Sequence, residues 1–213
     1  MSKKAVIFDF DGTIMDTNDL ILNSWQHTFN HYEGKKRGKE EIYSTFGETL
    51  DYSMKNLLPN VETNEAIEKY REYQIAHSEE EIKLFDGIVE LLEELKSRGL
   101  VLSIVTSRLR NTTMKYLKSF NLLDYFDVIV TCDDTNVHKP KPEPALIALK
   151  QLDVKKEETI MVGDTRFDIG CANNAGIDSV LVNWGVAYRQ ENLPSEFIPK
   201  YVINKPMELL EVI

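Results

Sequence analysis

Five short apolar runs rich in β-branched residues constrain the fold more than any other feature of this chain. They are Ala5–Phe8, Val101–Val105, Val128–Val130, Thr159–Val162 and Val180–Val182. None alternates polar with apolar residues, so both faces of each run need cover, which is the pattern of strands in a parallel sheet. Helical stripes lie between them. Ile88, Leu91, Leu92 and Leu95 form one, closed by Gly99 as its left-handed terminator. Met114, Tyr116, Leu117 and Phe120 form a second, and Ala145, Leu146, Ala148 and Leu149 a third. Strand and helix alternate from about residue 84 onward, which predicts an α/β fold, a doubly wound parallel sheet with helices on both faces.

The first run stands apart from this series, and the stretch after it has no strand character. Leu20, Ile21, Trp25, Thr28, Phe29 and Tyr32 recur there at helical spacing, as do Ala66, Ile67, Tyr70 and Tyr73. The expected division is an α/β core from residues 1–15 and 84–213, with residues 16–83 inserted as a small helical cap. Within the insertion, Glu33 to Glu41 is polar and reads as a solvated loop rather than as a phosphate grip by Lys35, Lys36 or Arg37.

A hydrophobic fraction of 42% supports a core of this size. The formal charge of −10 argues against broad capture of nucleic acid or anionic membrane, and it points to a small substrate. No run approaches the roughly 18 apolar residues of a membrane span. The apolar run at the N-terminus is too short for a signal peptide and is interrupted by Asp9 and Asp11. Cys132 and Cys171 are the only cysteines, so a disulfide framework is not expected and a reducing, cytoplasmic setting fits.

The chemistry gathers where the apolar runs end, which is where open α/β sheets place their sites. Phe8-Asp9-Phe10-Asp11-Gly12-Thr13 runs from a strand into two carboxylates and a glycine. Extended backbone puts Asp9 and Asp11 on one side. Like charges that close need a cation or a shared proton. Val105-Thr106-Ser107-Arg108 ends a second strand with hydroxyls and amides, which on their own suit a turn or a helix cap. His138 to Pro144 holds Lys139 in proline-stiffened backbone before a helix. The fourth strand ends in Gly163-Asp164-Thr165-Arg166-Phe167-Asp168, where Asp164 suits either a site or a helix cap.

These four endings, in this order, resemble the signature of the haloacid dehalogenase superfamily, and with the inserted cap the resemblance covers essentially the whole chain. It is closest to the phosphoglycolate-phosphatase-like branch, where Thr17 to Tyr32 and Val105 to Thr112 are most similar to bacterial pyrophosphatases. The resemblance implies a phosphatase with a Rossmann-like core, acting on a small phosphorylated metabolite. It assigns Asp9 to attack on phosphorus and Asp11 to acid and base catalysis. Thr106, the Ser107 amide and Lys139 would hold the phosphoryl oxygens. Mg²⁺ would be held by Asp9, the Asp11 carbonyl and Asp164, with Asp168 in support. Cap closure would hinge near Met15 to Thr17 and Glu79 to Phe85.

Departures from neighbouring branches narrow the choice. Asp11 is missing from true dehalogenases, and Thr45 to Leu50 lacks the lysine of phosphonate hydrolases. Gly12-Thr13 and Glu48-Thr49 differ from the corresponding pairs of β-phosphoglucomutases. Thr45 to Leu50 also lacks the paired prolines expected of the pyrophosphatases, so pyrophosphate and a small phosphate ester both stay open. A β-phosphoglucomutase-like phosphotransferase and a non-catalytic phosphate-binding module are the alternative readings. His27, His31 and His77 are expected to be surface or packing residues of the cap, Trp25, Phe29 and Tyr32 to form the apolar face of a cap helix, Cys171 to be inert, and Trp184 and Tyr188 to serve packing.

Overall fold

The computed structural model describes residues 2–187 and 197–213. In chain order the elements are β1 (Ala5–Phe8), β2 (Met15–Asp16), α1 (Asn18–Glu33), α2 (Lys39–Tyr43), α3 (Leu50–Leu57), α4 (Thr63–Glu81) and β3 (Lys83–Leu84). Then come α5 (Ile88–Ser97), β4 (Val101–Val105), α6 (Arg110–Ser119), β5 (Val128–Val130), α7 (Glu143–Leu152), β6 (Thr159–Gly163), α8 (Arg166–Ala175), β7 (Asp178–Val182) and β8 (Tyr201–Ile203). Among the described residues, no helix is long and apolar enough to cross a membrane.

Six strands form one parallel sheet in the order β5-β4-β1-β6-β7-β8. The chain builds outward from β1 to β5, then crosses back to continue from β6 on the other side. The reversal lies at β1, whose neighbours β4 and β6 are the two other strands that end in polar motifs. All five expected runs are strands. β8 is an addition to them, a three-residue edge strand with only Ile203 fully buried.

Alternation along the strands feeds two cores. Val6, Phe8, Leu102 and Ile104 point to one face, where Leu91, Leu92 and Leu95 of α5 and Leu117 of α6 cover them. Ile7, Val105 and Met161 point to the other, beneath Ala145 and Ala148 of α7 and Cys171, Ala172 and Ala175 of α8. Small side chains on this second pair of helices let them lie close to the sheet. The predicted stripe on α7 needs one correction. Leu146 is exposed, and Ile147 packs inward instead, because the apolar face turns through Ala145, Ala148 and Leu149. Gly99 does terminate α5 in the left-handed conformation, at φ 78°, and lets the Leu100 amide reach the Leu95 carbonyl at 3.1 Å.

The four helices α1 to α4 close over a third core made of Leu22, Trp25, Phe29, Ile42, Phe46, Met54, Leu58, Ala66 and Tyr70. Trp25 stacks on Phe29 at 5.3 Å and meets Tyr70 edge-on at 5.4 Å. His27 and His77 flank Tyr73, and the exposed His31 packs on Tyr32, which agrees with the surface or packing roles expected of them. The polar stretch from Glu33 to Glu41 is less open than expected, because α2 begins at Lys39. Arg37 lies over the Phe29 ring, pairs with Glu33 and Glu41, and donates to the Leu57 carbonyl at 2.9 Å. It is consumed as a strut within this layer. The chain leaves and rejoins the sheet layer through an antiparallel ribbon in which Met15 faces Leu84 and Asp16 faces Lys83.

Candidate active site

β1 delivers Asp9 by extending its own ladder by one rung, since the Asp9 amide donates to the Val162 carbonyl at 2.8 Å. The chain then turns sharply, with the Ile14 and Met15 amides both returning to the Phe10 carbonyl. Gly12 sits in this turn at φ 76°. A Cβ there would lie 2.3 Å from Asp164 Oδ2, so only glycine lets the loop close over that carboxylate. The Trp184 indole donates to the Thr13 carbonyl at 3.0 Å and ties the turn to the core. This is the packing role expected of Trp184, while Tyr188 lies outside the described residues.

Lys139 reaches into the sheet edge from the loop before α7. Its ammonium donates to Asp9 Oδ1 at 2.7 Å, to Asp168 Oδ1 at 2.6 Å and to the Val105 carbonyl at 3.3 Å, with 1% of its side chain exposed. Burial works to discharge the amine, but the charges of Asp168 and Asp9 overcome it and hold the lysine above its ordinary range.

Asp9, Asp164 and Asp168 each offer an oxygen within 4.8 Å of one another. Burial raises the Asp9 carboxyl, to about 7, and Asp168 adds to the effect while Lys139 opposes it. Burial also raises the Asp164 carboxyl well above its ordinary value, with Asp168 and Asp9 contributing. The helix cap left open for Asp164 is taken by Thr165, whose amide and hydroxyl both donate to Asp168 Oδ2. Asp168 is therefore committed on both oxygens. Asp164 is not, because its buried Oδ2 has no hydrogen-bond partner among the described residues. An orphaned carboxylate oxygen among crowded, desolvated acids fits a hard cation, and the all-oxygen donor set fits it too.

Asp11 is turned away from this trio. Its carboxylate accepts from Arg108 Nε at 3.0 Å and Nη2 at 2.6 Å, and from the Thr17 hydroxyl at 2.7 Å. Burial alone would raise it, yet the guanidinium and Thr17 hold it below the usual carboxylate range. Both oxygens of the Asp11 carboxylate are thus taken up by protein partners.

Thr106 is fixed by its amide on the Val130 carbonyl, and its Oγ1 accepts from the Arg108 amide at 3.1 Å. The Ser107 hydroxyl crosses to the helical layer and donates to the Gly47 carbonyl at 2.7 Å. Gly47 has φ 92°, and a Cβ there would lie 2.6 Å from Thr165 Oγ1 and 2.8 Å from the Phe167 ring. Sequence reasoning brought Asp9, Asp11, Thr106, Ser107, Lys139, Asp164 and Asp168 to one place, and all but Asp168 line a single cleft of about 750 Å³ between the sheet edge and the helical layer. It missed Arg108, Thr17, Thr165 and Gly47. Cys132 also lines the cleft, with its thiol pushed up to about 11 by burial and Asp133, and Cys171 lies in the core, pushed up to about 12 by burial.

Comparison with known proteins bears on this geometry. The chain matches the haloacid dehalogenase-like hydrolase family over residues 6–182. It is 40% identical to the pyrophosphatase PpaX of Halalkalibacterium halodurans, covering 100% of this chain and 98% of that protein. It is 37% identical to the PpaX of Bacillus mycoides, covering 100% and 98% respectively. Among solved structures, a haloacid dehalogenase-like family hydrolase from Streptococcus pneumoniae is 30% identical with a TM-score of 0.86, covering 99% of this chain and 98% of that one. A Lactobacillus plantarum protein provisionally assigned as a phosphoglycolate phosphatase is 28% identical with a TM-score of 0.88, covering all of both chains.

Proposed function

The chain belongs to the haloacid dehalogenase-like hydrolases, and from that premise we propose that it is a magnesium-dependent phosphohydrolase working through an aspartyl-phosphate on Asp9. The observation that carries this reading is the Asp9–Lys139–Asp168 chain set against the unsatisfied Asp164 oxygen, at the strand ends where such a site belongs. Inorganic pyrophosphate stands first among substrates, because relatives named pyrophosphatase are up to 40% identical over the full chain. Small phosphate esters stand second, on the likeness to phosphoglycolate-phosphatase-type structures.

The steps follow from the residues. An Asp9 oxygen attacks phosphorus while the bond to the leaving oxygen breaks on the opposite side. Lys139 favours the charged form of Asp9 and aims it, and Thr106 and the Ser107 amide cradle the phosphoryl oxygens. Mg²⁺ on Asp9, Asp164 and the Asp11 carbonyl would supply the hard Lewis acid that offsets phosphoryl charge. Released by Arg108 and protonated, Asp11 gives that proton to the leaving oxygen, then takes one from the water that attacks the aspartyl-phosphate, which frees phosphate and restores Asp9. Residues 16–83 act as a cap that closes over the cleft, pivoting on the Met15–Asp16 and Lys83–Leu84 ribbon.

Phosphate release from pyrophosphate, phosphoglycolate, a sugar phosphate and an aryl phosphate, measured with Mg²⁺ and with chelator, tests the reading. Release from pyrophosphate that stops on chelation is expected. Inactivity across the panel, or turnover indifferent to chelation, refutes it.

The Gly47 contact yields a separate expectation. In Gly47→Ala the methyl group collides with Thr165 and Phe167 and props the cap off the catalytic loops. Misplacing positioning groups by about 1 Å costs on the order of 100-fold, so kcat/KM should fall by roughly that amount while the fold survives. Steady-state kinetics beside a thermal melt check it; a loss of stability equal to the loss of activity would deny Gly47 a part in closure.

A further inference from the structure

We propose that Arg108 is the receptor for a second anionic group on the leaving portion of the substrate, so that it selects diphosphates, and phosphate esters with a nearby carboxylate, over esters with an uncharged leaving group. The inference rests on the phosphohydrolase reading above and deepens it.

The phosphoryl group being transferred already has its cation in Lys139, which is committed to Asp9 and Asp168. Two further cleft cations, Arg71 and Lys115, are exposed. Arg108 differs from both. Its side chain is 8% exposed, its guanidinium lies 5.3 Å from the Tyr116 ring and 5.7 Å from the Phe10 ring, and its fork grips the Asp11 carboxylate through two nitrogens. A planar fork set beside two rings suits an anion with two coplanar oxygens, and a carboxylate or a phosphoryl edge meets that demand equally.

Asp11 is also the group that must meet the leaving oxygen. An anionic group attached just beyond that oxygen therefore arrives where Arg108 now holds Asp11. Exchange follows. Arg108 passes from the protein's carboxylate to the substrate's, and Thr17 keeps Asp11 oriented through its 2.7 Å hydrogen bond. A leaving group without charge offers no such exchange. Arg108 then either stays on Asp11, occupying both of its oxygens, or is left unpaired in an enclosed site. Selectivity arises from the penalty on the wrong substrate as much as from attraction to the right one.

The test compares kcat/KM for pyrophosphate with that for p-nitrophenyl phosphate in wild type, Arg108→Met and Arg108→Lys, with thermal melts to confirm folding. Both substrates lose efficiency in Arg108→Met, since Asp11 loses its partner, but pyrophosphate loses more. The ratio of the two constants is expected to fall by roughly 10- to 100-fold, chiefly through KM for pyrophosphate. Arg108→Lys, which keeps the charge without the fork, should lie between. An unchanged ratio in both variants, whether through equal losses or none, overturns the assignment and leaves the phosphohydrolase reading standing. Failure of wild type to release phosphate from either substrate overturns that reading and the inference together.

Discussion

Asp9→Asn is expected to reduce phosphate release by on the order of 10⁴-fold or more, as removal of a covalent nucleophile does elsewhere. Asparagine keeps the shape of the side chain and its hydrogen bond to Lys139, so the fold should not suffer. Burial and the charge of Asp168 already work against ionisation at this position, and the amide removes one repulsive charge from the cluster. The metal-free variant should therefore melt no lower than wild type near neutral pH. Activity measured beside thermal melts separates the two effects. Residual turnover above about one part in a hundred would mean that another group carries the nucleophilic step.

Lys139→Met should fail on both counts. It strips the one ammonium from three carboxylates that share a buried pocket, and loss of one partner from a buried ion pair costs about 3–5 kcal/mol. For a chain of this length that corresponds to a fall in Tm of about 6–20 °C. The deficit should depend on pH with a definite sign. Asp9 and Asp164 have folded pKa values raised above their unfolded ones, so their contribution to stability is present in acid, below the unfolded value, and lost as pH rises through the folded value, about 7 for Asp9. The gap between variant and wild type should be narrow near pH 4 and widen toward neutrality, and Mg²⁺ should recover part of it by replacing the missing charge. Melting curves across pH, with and without Mg²⁺, check this; a gap that is constant with pH would place the damage in packing instead.

The parts of the molecule that could be read from sequence are those written in local physics. Ala5–Phe8 and Thr159–Val162 are buried on both faces, so every residue in them is apolar or nearly so, and the pattern is unmistakable. Tyr201–Ile203 is short and at the sheet edge, where one neighbour and partial exposure leave no such imprint. The Met15–Asp16 and Lys83–Leu84 ribbon has two residues a side, too few to show any period. The site divides in the same way. Asp9, Lys139 and Asp164 stand at strand ends or in stiff loops, whereas Arg108 gains meaning only from a carboxylate 97 residues away, and Gly47 only from the packing of the helical layer against Thr165. Leu146 is the converse case, an apolar residue that matched the spacing of a stripe and still faces water.

The ribbon has a consequence for how such a chain can change over generations. Because the insertion departs and returns at paired neighbours, its two ends are already joined, and the sheet sees it as nothing more than the tip of a hairpin. Closing a longer or shorter segment across that point changes the loop-closure cost by only about 0.6 kcal/mol per doubling of length. Mutation can thus remodel or enlarge much of what lies beyond the ribbon while the sheet below it stays fixed, so long as Thr17 still reaches Asp11 and Gly47 still packs on Thr165.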